Sequence, residues 1–298
     1  MLPISAFAWN LQGDFLYWKP SEETSLLWAS ALRFDEEGTE IFQGENLSLD
    51  WNAGFRVGLG SEFGCDCWNA QLVWTQFTSS GKNSIPRNQA VIATQFFGGF
   101  INGDISDSAE INLKLKYNMF DLELGREIDI GHCFTMQPKI GVKGGWIDQS
   151  IHTEWSNFVV EPPSQFTATE DLTNDFWGVG PLAGLEMRWG LGACFYLFGN
   201  FDAAFLWGTW KNRDVYKSSE GREINTNMKN SQLGELVVRG LAGLGWEVPI
   251  SDWAFLVIQL GYEGQNWFEQ FRIPTFQQLR VHGDLTLQGG TLKVCLEF

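Results

Sequence analysis

Long stretches of this sequence alternate strictly between apolar residues and small or charged residues. In the segment 177–189 every odd position is apolar, with tryptophan at both ends, and the even positions hold glycine, leucine, glutamate and arginine. A period of two places successive side chains on opposite faces of a β-strand. A strand of about ten residues crosses a bilayer, and aromatic residues collect at the two interfaces. The segment therefore predicts a strand with one face in lipid.

Segments of this kind recur, and the links between them differ in length. Short turns on one side and long loops on the other are typical of outer-membrane barrels. The short links lie near 61–67, 128–132, 190–192 and 248–251, and the long links lie near 20–47, 80–108, 150–173, 210–231 and 269–282. We therefore expect an all-β, transmembrane, antiparallel up-and-down β-barrel that forms a single domain over 1–298, with short periplasmic turns and long external loops.

Ten strands give an even count and place both chain ends on the periplasmic side. Eight to twelve strands stay open, because 26–34 fits either a separate strand or an extension of the first hairpin. Proline donates no backbone hydrogen bond, so a bulge or local irregularity is expected at Pro138 and Pro181. The ten predicted strands are roughly 8–19, 48–60, 68–79, 109–127, 133–149, 174–189, 193–209, 232–247, 252–268 and 283–298.

Composition and charge exclude several other classes of protein. The richest apolar run, 254–258, is far shorter than the about 18 residues that a membrane-spanning helix needs. With 20 Lys and Arg against 36 Asp and Glu, the net charge of −16 argues against a nucleic-acid partner. The first ten positions have no basic region followed by a long apolar core, so we expect Met1 to precede a mature sequence whose export signal is absent.

The final segment favours closure of a barrel. Leu292, Val294, Leu296 and Phe298 alternate with polar or small residues up to the last position. An open apolar edge invites aggregation, whereas a closed barrel has no edge. A terminal phenylalanine with this spacing also resembles the signal that outer-membrane assembly machinery reads. An integral position in the bacterial outer membrane is therefore expected.

Several segments resemble the major outer-membrane protein family of Legionella and chlamydia-like bacteria. The resemblance runs in order along most of the chain and leaves the loops unmatched. It implies a porin-like barrel that is abundant in the outer membrane, and it implies neither a catalytic group nor a particular solute. The segments are LYWKP (16–20), WNAGFRVGLG (51–60), FWGVGPLAGLEMRW (176–189), LFGNFDAAFLWG (197–208) and GYEGQNWFEQ (261–270).

Charged residues that the alternation places on the polar face are expected to line the lumen. Rings of charge set the selectivity of a pore, and eight basic residues against six acidic ones predict weak anion preference or none. In a narrow barrel the same charges would instead pair with one another and fill the interior. The candidates are Arg56, Lys114, Lys116, Lys139, Lys143, Glu186, Arg188, Asp202, Glu235, Arg239 and Glu263, together with Asp14, Lys293 and Glu297.

These alternatives lead to two functions. The first is a porin that gives passive diffusion of small hydrophilic solutes and ions and contributes to envelope structure. The second is a plugged structural or adhesive barrel whose acidic external loops bind host or envelope partners; positions 20–47 hold seven acidic residues and one basic residue. A soluble lipid-binding barrel is a third alternative. The first two imply contact with outer-membrane lipid and lipopolysaccharide, and a homo-oligomer is compatible with both.

No enzymatic role, cofactor or metal is expected. Barrel proteases and phospholipases need a histidine beside an aspartate or a serine. His132 falls in a periplasmic turn, while His152 and His282 lie near external loops without a nucleophile motif. The acidic loops also lack the regular spacing of a calcium-binding loop.

The five cysteines all map to the periplasmic end of the predicted barrel, which is an oxidising compartment. An odd number leaves at least one thiol free or paired with another chain. Cys65, Cys67 and Cys133 are the candidates for disulfide links to neighbouring envelope proteins, as in the cross-linked envelopes of chlamydia-like bacteria. Cys194 and Cys295 are expected to be packed as small residues.

Overall fold

In the computed structural model the alternating segments form β-strands along the whole chain. The structure describes residues 8–22, 27–34, 38–63, 68–87, 91–94, 105–158, 167–274 and 280–298. Within these ranges no helix is long and apolar enough to cross a membrane. The strands are β1 (Ala8–Glu22), β2 (Leu27–Phe34), β3 (Glu40–Asn46), β4 (Asn52–Phe63), β5 (Trp68–Ile85), β6 (Val91–Thr94), β7 (Ile105–Arg126), β8 (Ile128–Asp129), β9 (Phe134–Phe158), β10 (Thr167–Gly192), β11 (Phe195–Ser218), β12 (Glu223–Ser251), β13 (Ala254–Pro274) and β14 (Arg280–Glu297).

Ten of these strands form a closed ring in which all neighbours are antiparallel. The order around the ring is β7, β5, β4, β1, β14, β13, β12, β11, β10 and β9, and β9 pairs back with β7. Closure satisfies the backbone donors and acceptors of every strand, which is the condition for a sheet to cross a bilayer. The predicted antiparallel barrel of about ten strands is confirmed.

Three short strands lie outside the ring at the loop end. β2 and β3 form a hairpin, and β6 joins β2 to β7. The segment predicted at 26–34 is therefore a separate strand that adds to the external part of the barrel and does not belong to its wall.

Several strands continue beyond their predicted ends. β11 and β12 stay paired up to Lys217↔Glu223, so the long link expected at 210–231 is a tight turn at 219–222. β9 and β10 likewise stay paired up to Ser156↔Thr167. The wall of the barrel therefore rises well above the level that the lipid requires.

The sense of the alternation reverses along the strands. In the lower part of β7, toward the short periplasmic turns, Phe120 and Leu122 are exposed on the outside and Asp121 is buried inside. In the upper part, Leu113 and Leu115 are buried inside, while the lysines between and after them are exposed on the outside. The lower half thus has an apolar outside for lipid, and the upper half has an apolar interior and a polar outside that suits water.

The two prolines interrupt strand pairing locally, as expected, without shifting its register. β9 and β10 pair through Pro138 and Pro181 without a shift in register. On its other side, β10 pairs with β11 up to Val179↔Trp207 and again from Leu182↔Ala204, in the same register. The irregularity expected at Pro181 is therefore a gap in pairing. The irregularity expected at Pro138 is a gap of the same kind on the other side of β9, where pairing stops at Gly125↔Lys139 and resumes with the short strand β8 at Ile128↔Met136.

Gly180 lies beside the gap at Pro181, where the backbone of β11 comes close. A Cβ atom at Gly180 would meet the Phe205 carbonyl oxygen and lie 2.8 Å from the Leu206 Cα, and neither backbone atom is free to move aside. We expect Gly180→Ala to lower the free energy of unfolding by about 1–3 kcal/mol, as overpacking in a close-packed wall does. Urea unfolding of the protein in lipid vesicles, followed by tryptophan fluorescence, measures the change.

Gly240 provides the matched control, because a Cβ atom there has no neighbour within 4 Å. Gly240→Ala should leave the urea midpoint nearly unchanged. Equal midpoints for the two variants would show that the strands separate at Gly180 without cost.

Candidate functional site in the barrel interior

Nine charged side chains meet inside the barrel at the level of its apolar outer belt. All nine are at most 9% exposed, so they form one buried group, here called the ionic layer. Its members are Asp14, Arg56, Asp121, Glu123, Lys139, Lys143, Asp202, Arg239 and Glu263.

Arg56 holds one side of the ionic layer together. Its guanidinium donates to both carboxylate oxygens of Glu263, at 2.7 and 3.2 Å, and to Asp14 at 3.1 Å. It also donates to the Thr75 hydroxyl at 3.1 Å, and the Thr291 hydroxyl donates to Glu263 at 2.9 Å. The planar guanidinium fits a carboxylate in this bidentate manner, which makes the contact strong and directional.

Arg239 and Lys139 extend the layer across the lumen. Arg239 Nε donates to Asp202 at 2.7 Å, and its Nη1 lies 3.9 Å from Glu263. Lys139 Nζ lies 2.8 Å from Asp202 and 3.0 Å from Glu123. A continuous series of ion pairs therefore runs from β4 through β13, β12, β11 and β9 to β7.

Lys143 completes the layer by donating to both oxygens of Asp121, at 2.6 and 2.8 Å. Four cations thus face five carboxylates, and each cation contacts at least one carboxylate. Pairing of this kind is required, because an unpaired charge in a medium of low dielectric constant is very unfavourable.

Aromatic side chains fill the interior directly above the ionic layer. All six are at most 1% exposed; they are called the aromatic layer and comprise Trp18, Phe77, Tyr117, Phe176, Trp210 and Trp267. The Tyr117 and Trp267 rings are 5.7 Å apart in an edge-to-face arrangement, and the Phe176 and Trp210 rings are 4.4 Å apart.

The Tyr117–Trp267 contact crosses the whole lumen. Tyr117 is on β7 and Trp267 is on β13, and four strands separate them in either direction around the ring. The Tyr117 hydroxyl also donates to Gln265 of β13 at 3.0 Å. Opposite walls of the barrel therefore touch at this level.

The ionic and aromatic layers are in contact with each other. The Arg56 guanidinium lies 5.7 Å from the centre of the Trp18 ring, and the Trp18 indole donates to Thr291 at 3.3 Å. A cavity of about 40 Å³ remains on the periplasmic side, between residues that include Gln71, Glu123 and Lys139. It has room for a few water molecules.

Most of the residues predicted to line the lumen do face the interior. Arg56, Lys139, Lys143, Asp202, Arg239 and Glu263 belong to the ionic layer. Glu186 and Arg188 pair with each other at 3.3 Å on the periplasmic side of it. Glu235 is buried at the upper end, 3.6 Å from Arg272. Whether any of them lines a conducting pore remains a prediction.

Lys114 and Lys116 do not lie in the lumen, and the prediction for them was wrong. Both are exposed on the outside of β7, because the buried face at that level carries Leu113, Leu115 and Tyr117. For the same reason Asp121 and Glu123 were not predicted to face the lumen, although both are buried in the interior lower on the strand. Their alternation with Phe120, Leu122 and Leu124 was a sufficient signal, since only the lipid-facing part of a strand carries its apolar residues outside.

The described cysteines lie near the periplasmic end and are free. Cys133 and Cys194 are exposed, so the packed position expected for Cys194 is wrong. Cys194 occupies the tight turn between β10 and β11, where Ala193 and Cys194 both have positive φ. Cys295 is buried against Tyr196 and Phe198, as expected. The predicted cross-linking residues Cys65 and Cys67 fall outside the described residues.

His152 lies on the outside of the barrel wall, above the lipid. Its ring is 2.6 Å from Asp171 and 3.2 Å from Glu154. Partial burial lowers the pKa of His152, but the hydrogen bonds and charges of the two carboxylates outweigh it and raise the pKa above its usual value. Within the described ranges, no group of three or more histidine, cysteine or acidic residues could hold a metal ion.

A closed antiparallel ring with an apolar outer belt and a charged interior defines a transmembrane β-barrel of the bacterial outer membrane. The family model described as Legionella pneumophila major outer membrane protein precursor matches residues 1–298, and the chain belongs to that family. It is an integral outer-membrane protein.

Solved structures of similar architecture are remote from this chain. The outer membrane protease OmpT of Escherichia coli shares 11% identity, with 100% of this chain and 97% of that one covered and a TM-score of 0.39. The toluene transporter TodX of P. putida shares 9% identity, with coverage of 99% and 89% and a TM-score of 0.34. No curated protein matches the sequence.

The ionic layer predicts a large effect of a single neutral substitution. Glu263→Gln would leave Arg56 and Arg239 with less negative charge in a buried site, and breaking a buried ion pair typically costs about 3–5 kcal/mol. We expect a decrease of this size in the free energy of unfolding, measured by urea titration in lipid vesicles.

Glu223→Gln is the matched control, since Glu223 and Lys217 form an exposed pair at 3.8 Å. Solvent screens such a pair, so the control should change the stability by less than about 0.5 kcal/mol. An equally small change for Glu263→Gln would mean that the ionic layer is hydrated and open.

Proposed function

We propose that this outer-membrane protein is a structural barrel whose lumen is closed to solutes in its resting state. The contact between Tyr117 and Trp267 carries the proposal, because it joins opposite walls of the ring with both side chains fully buried. A hydrated solute or ion moving along the barrel would have to separate these rings.

The ionic layer supports the same conclusion. Its four cations bond to its carboxylates at 2.6–3.0 Å, so only one of the five negative charges is left without a matching cation to act on a passing ion. Arg56 and Glu263 would also have to part for a solute to pass, which breaks a buried bidentate pair. Small barrels can be filled by their own side chains in this way.

Porin-like diffusion is the competing hypothesis. It requires both layers to rearrange, or a path that involves segments other than the described ones. The presence of charged residues in the interior does not distinguish the two hypotheses, because the same residue types serve as a lining and as a filling.

Conductance across a planar bilayer distinguishes them. We expect the folded wild-type protein to give no stable single-channel steps. The double variant Tyr117→Ala, Trp267→Ala removes both rings of the cross-lumen contact and is expected to give steps, provided that its migration on unheated gels shows a folded barrel.

Phe120→Ala is the control, since Phe120 lies on the lipid-facing side of the same strand and is 40% exposed. Its removal should leave the protein silent. Regular single-channel steps from the wild type in most insertions would overturn the proposal and support a porin.

A structural role also fits the exposed thiols of Cys133 and Cys194 on the periplasmic turns. As part of the proposal, these thiols form disulfides with neighbouring envelope proteins. Isolated envelopes analysed on gels without reductant should contain high-molecular-weight forms that collapse to the monomer when reductant is added.

The variant in which all of Cys65, Cys67, Cys133 and Cys194 are serine serves as the control and should migrate as a monomer in both conditions. Cys295 is kept because it is buried. If the wild type is entirely monomeric without reductant, the cross-linking part of the proposal fails, and the closed lumen is unaffected.

A further inference from the structure

A band of basic side chains surrounds part of the outer surface just above the lipid. The strand register places five residues next to one another in a single row across five strands. They are Lys116 on β7, Asp148 on β9, Asp175 on β10, Lys211 on β11 and Lys229 on β12. Lys114 and Arg213 lie in the next row up. We call Lys114, Lys116, Lys211, Arg213 and Lys229 the basic band; all five are exposed.

The row directly below the basic band is aromatic. Trp146 and Trp177 lie opposite each other, at 40% and 56% exposure on the outside of β9 and β10. Trp146 precedes Asp148 by two residues, and Trp177 follows Asp175 by two residues. Two residues correspond to about 7 Å along a strand. Outward-facing tryptophans mark the interface between the hydrocarbon and the head groups. The basic band is therefore at the height of the head groups of the outer leaflet.

A groove on this surface joins the two rows. It has a volume of about 590 Å³, and it is lined by Trp146, Asp148, Asp175, Phe176, Trp177, Thr209, Lys211 and Lys229. The indoles form its lower part and the ammonium groups its upper part. This arrangement suits a ligand with an acyl region below and an anionic group above.

The groove is lined by two lysines and two carboxylates, but the carboxylates lie on β9 and β10, and the cross-strand neighbour of Lys229 is another lysine. Lys211 and Lys229 are direct cross-strand partners, and like charges in this position destabilise a sheet. Among the described residues no carboxylate forms an ion pair with the Lys229 ammonium group, and Lys211 has only the nearby charge of Asp175. Across the two rows five cations face two carboxylates, whereas the chain as a whole carries a net charge of −16. An anion from outside the protein would remove the repulsion.

The two carboxylates in the row each face a basic residue on a neighbouring strand. Asp175 faces Lys211 of β11. Asp148 also faces Lys116, so each acid has a basic partner beside it. Within the described strands Lys229 has no acidic cross-strand neighbour, and Lys211 lies directly opposite it, so one phosphate group can contact both lysines.

We infer that the groove between β9 and β12 binds lipopolysaccharide, with Lys211 and Lys229 contacting a phosphate group and the two tryptophans contacting an acyl chain. Basic residues at a membrane surface attract anionic head groups, and Lys binds phosphate as a strong point charge. The occupant is a lipid because the site opens toward the membrane at head-group height. The inference depends on the outer-membrane location and not on whether the lumen is open.

The test uses the full-length protein, folded in detergent micelles with EDTA to remove divalent cations. Tagged protein is incubated with fluorescent lipopolysaccharide, and the retained lipid is measured over a range of concentrations. The variant Lys211→Gln, Lys229→Gln should bind about tenfold more weakly, given the energy that each basic residue contributes at a charged surface.

The variant Lys217→Gln, Arg222→Gln is the matched control, because it removes the same charge from the far end of the same hairpin, above the groove. It should bind like the wild type. Enzymatically dephosphorylated lipopolysaccharide should bind weakly to all three proteins, and millimolar inorganic phosphate should not displace the intact lipid.

Two results would overturn the inference. One is equal binding by the groove variant and the control variant, which would indicate a contact set by overall charge. The other is full displacement by inorganic phosphate, which would indicate a site for a free anion. The folded state of each variant is verified beforehand by its migration on unheated gels.

Discussion

The structure depends on the need to satisfy every backbone hydrogen bond inside a bilayer. Lipid offers no partner for an N–H or C=O group, so the sheet must close, and it does so where β9 pairs with β7. Closure with ten strands fixes a narrow ring. Long side chains from opposite walls then reach each other, as Tyr117 and Trp267 do. The filled interior is thus a consequence of the number of strands together with the size of the residues that face inward.

The two layers of the interior follow from what surrounds the wall at each height. Where the outside faces lipid, the apolar side chains are on the outside, and the charged ones turn inward and must find partners. Arg56, Arg239 and Lys139 bind the inward-facing carboxylates in one connected series of ion pairs. Where the wall rises above the membrane, water lies outside and the apolar residues turn inward, which gives the aromatic layer. A barrel of this kind has a membrane half and a half that is built like a water-soluble protein.

The inside and outside of the barrel therefore serve different ends. The interior joins the strands to one another, which suits a structural component of the envelope. We propose that the outside provides the surfaces that meet other molecules, namely the basic band at the outer leaflet and the exposed cysteines on the periplasmic turns. A change in one of these surfaces leaves the others intact, so each role can be examined separately.

The sequence by itself determined the strands, their approximate number, their antiparallel order and the membrane location, because a period of two and regularly spaced turns are local properties. It also placed Arg56, Asp202 and Glu263 on the inner face. It did not determine which face of β7 points inward, so Lys114 and Lys116 were assigned to the lumen and Asp121 was missed. Alternation defines two faces, but only the height of a residue relative to the membrane decides which face is apolar. The tertiary structure also decided which charges pair, since Arg56 and Glu263 are 207 residues apart in the chain and meet only when the ring closes.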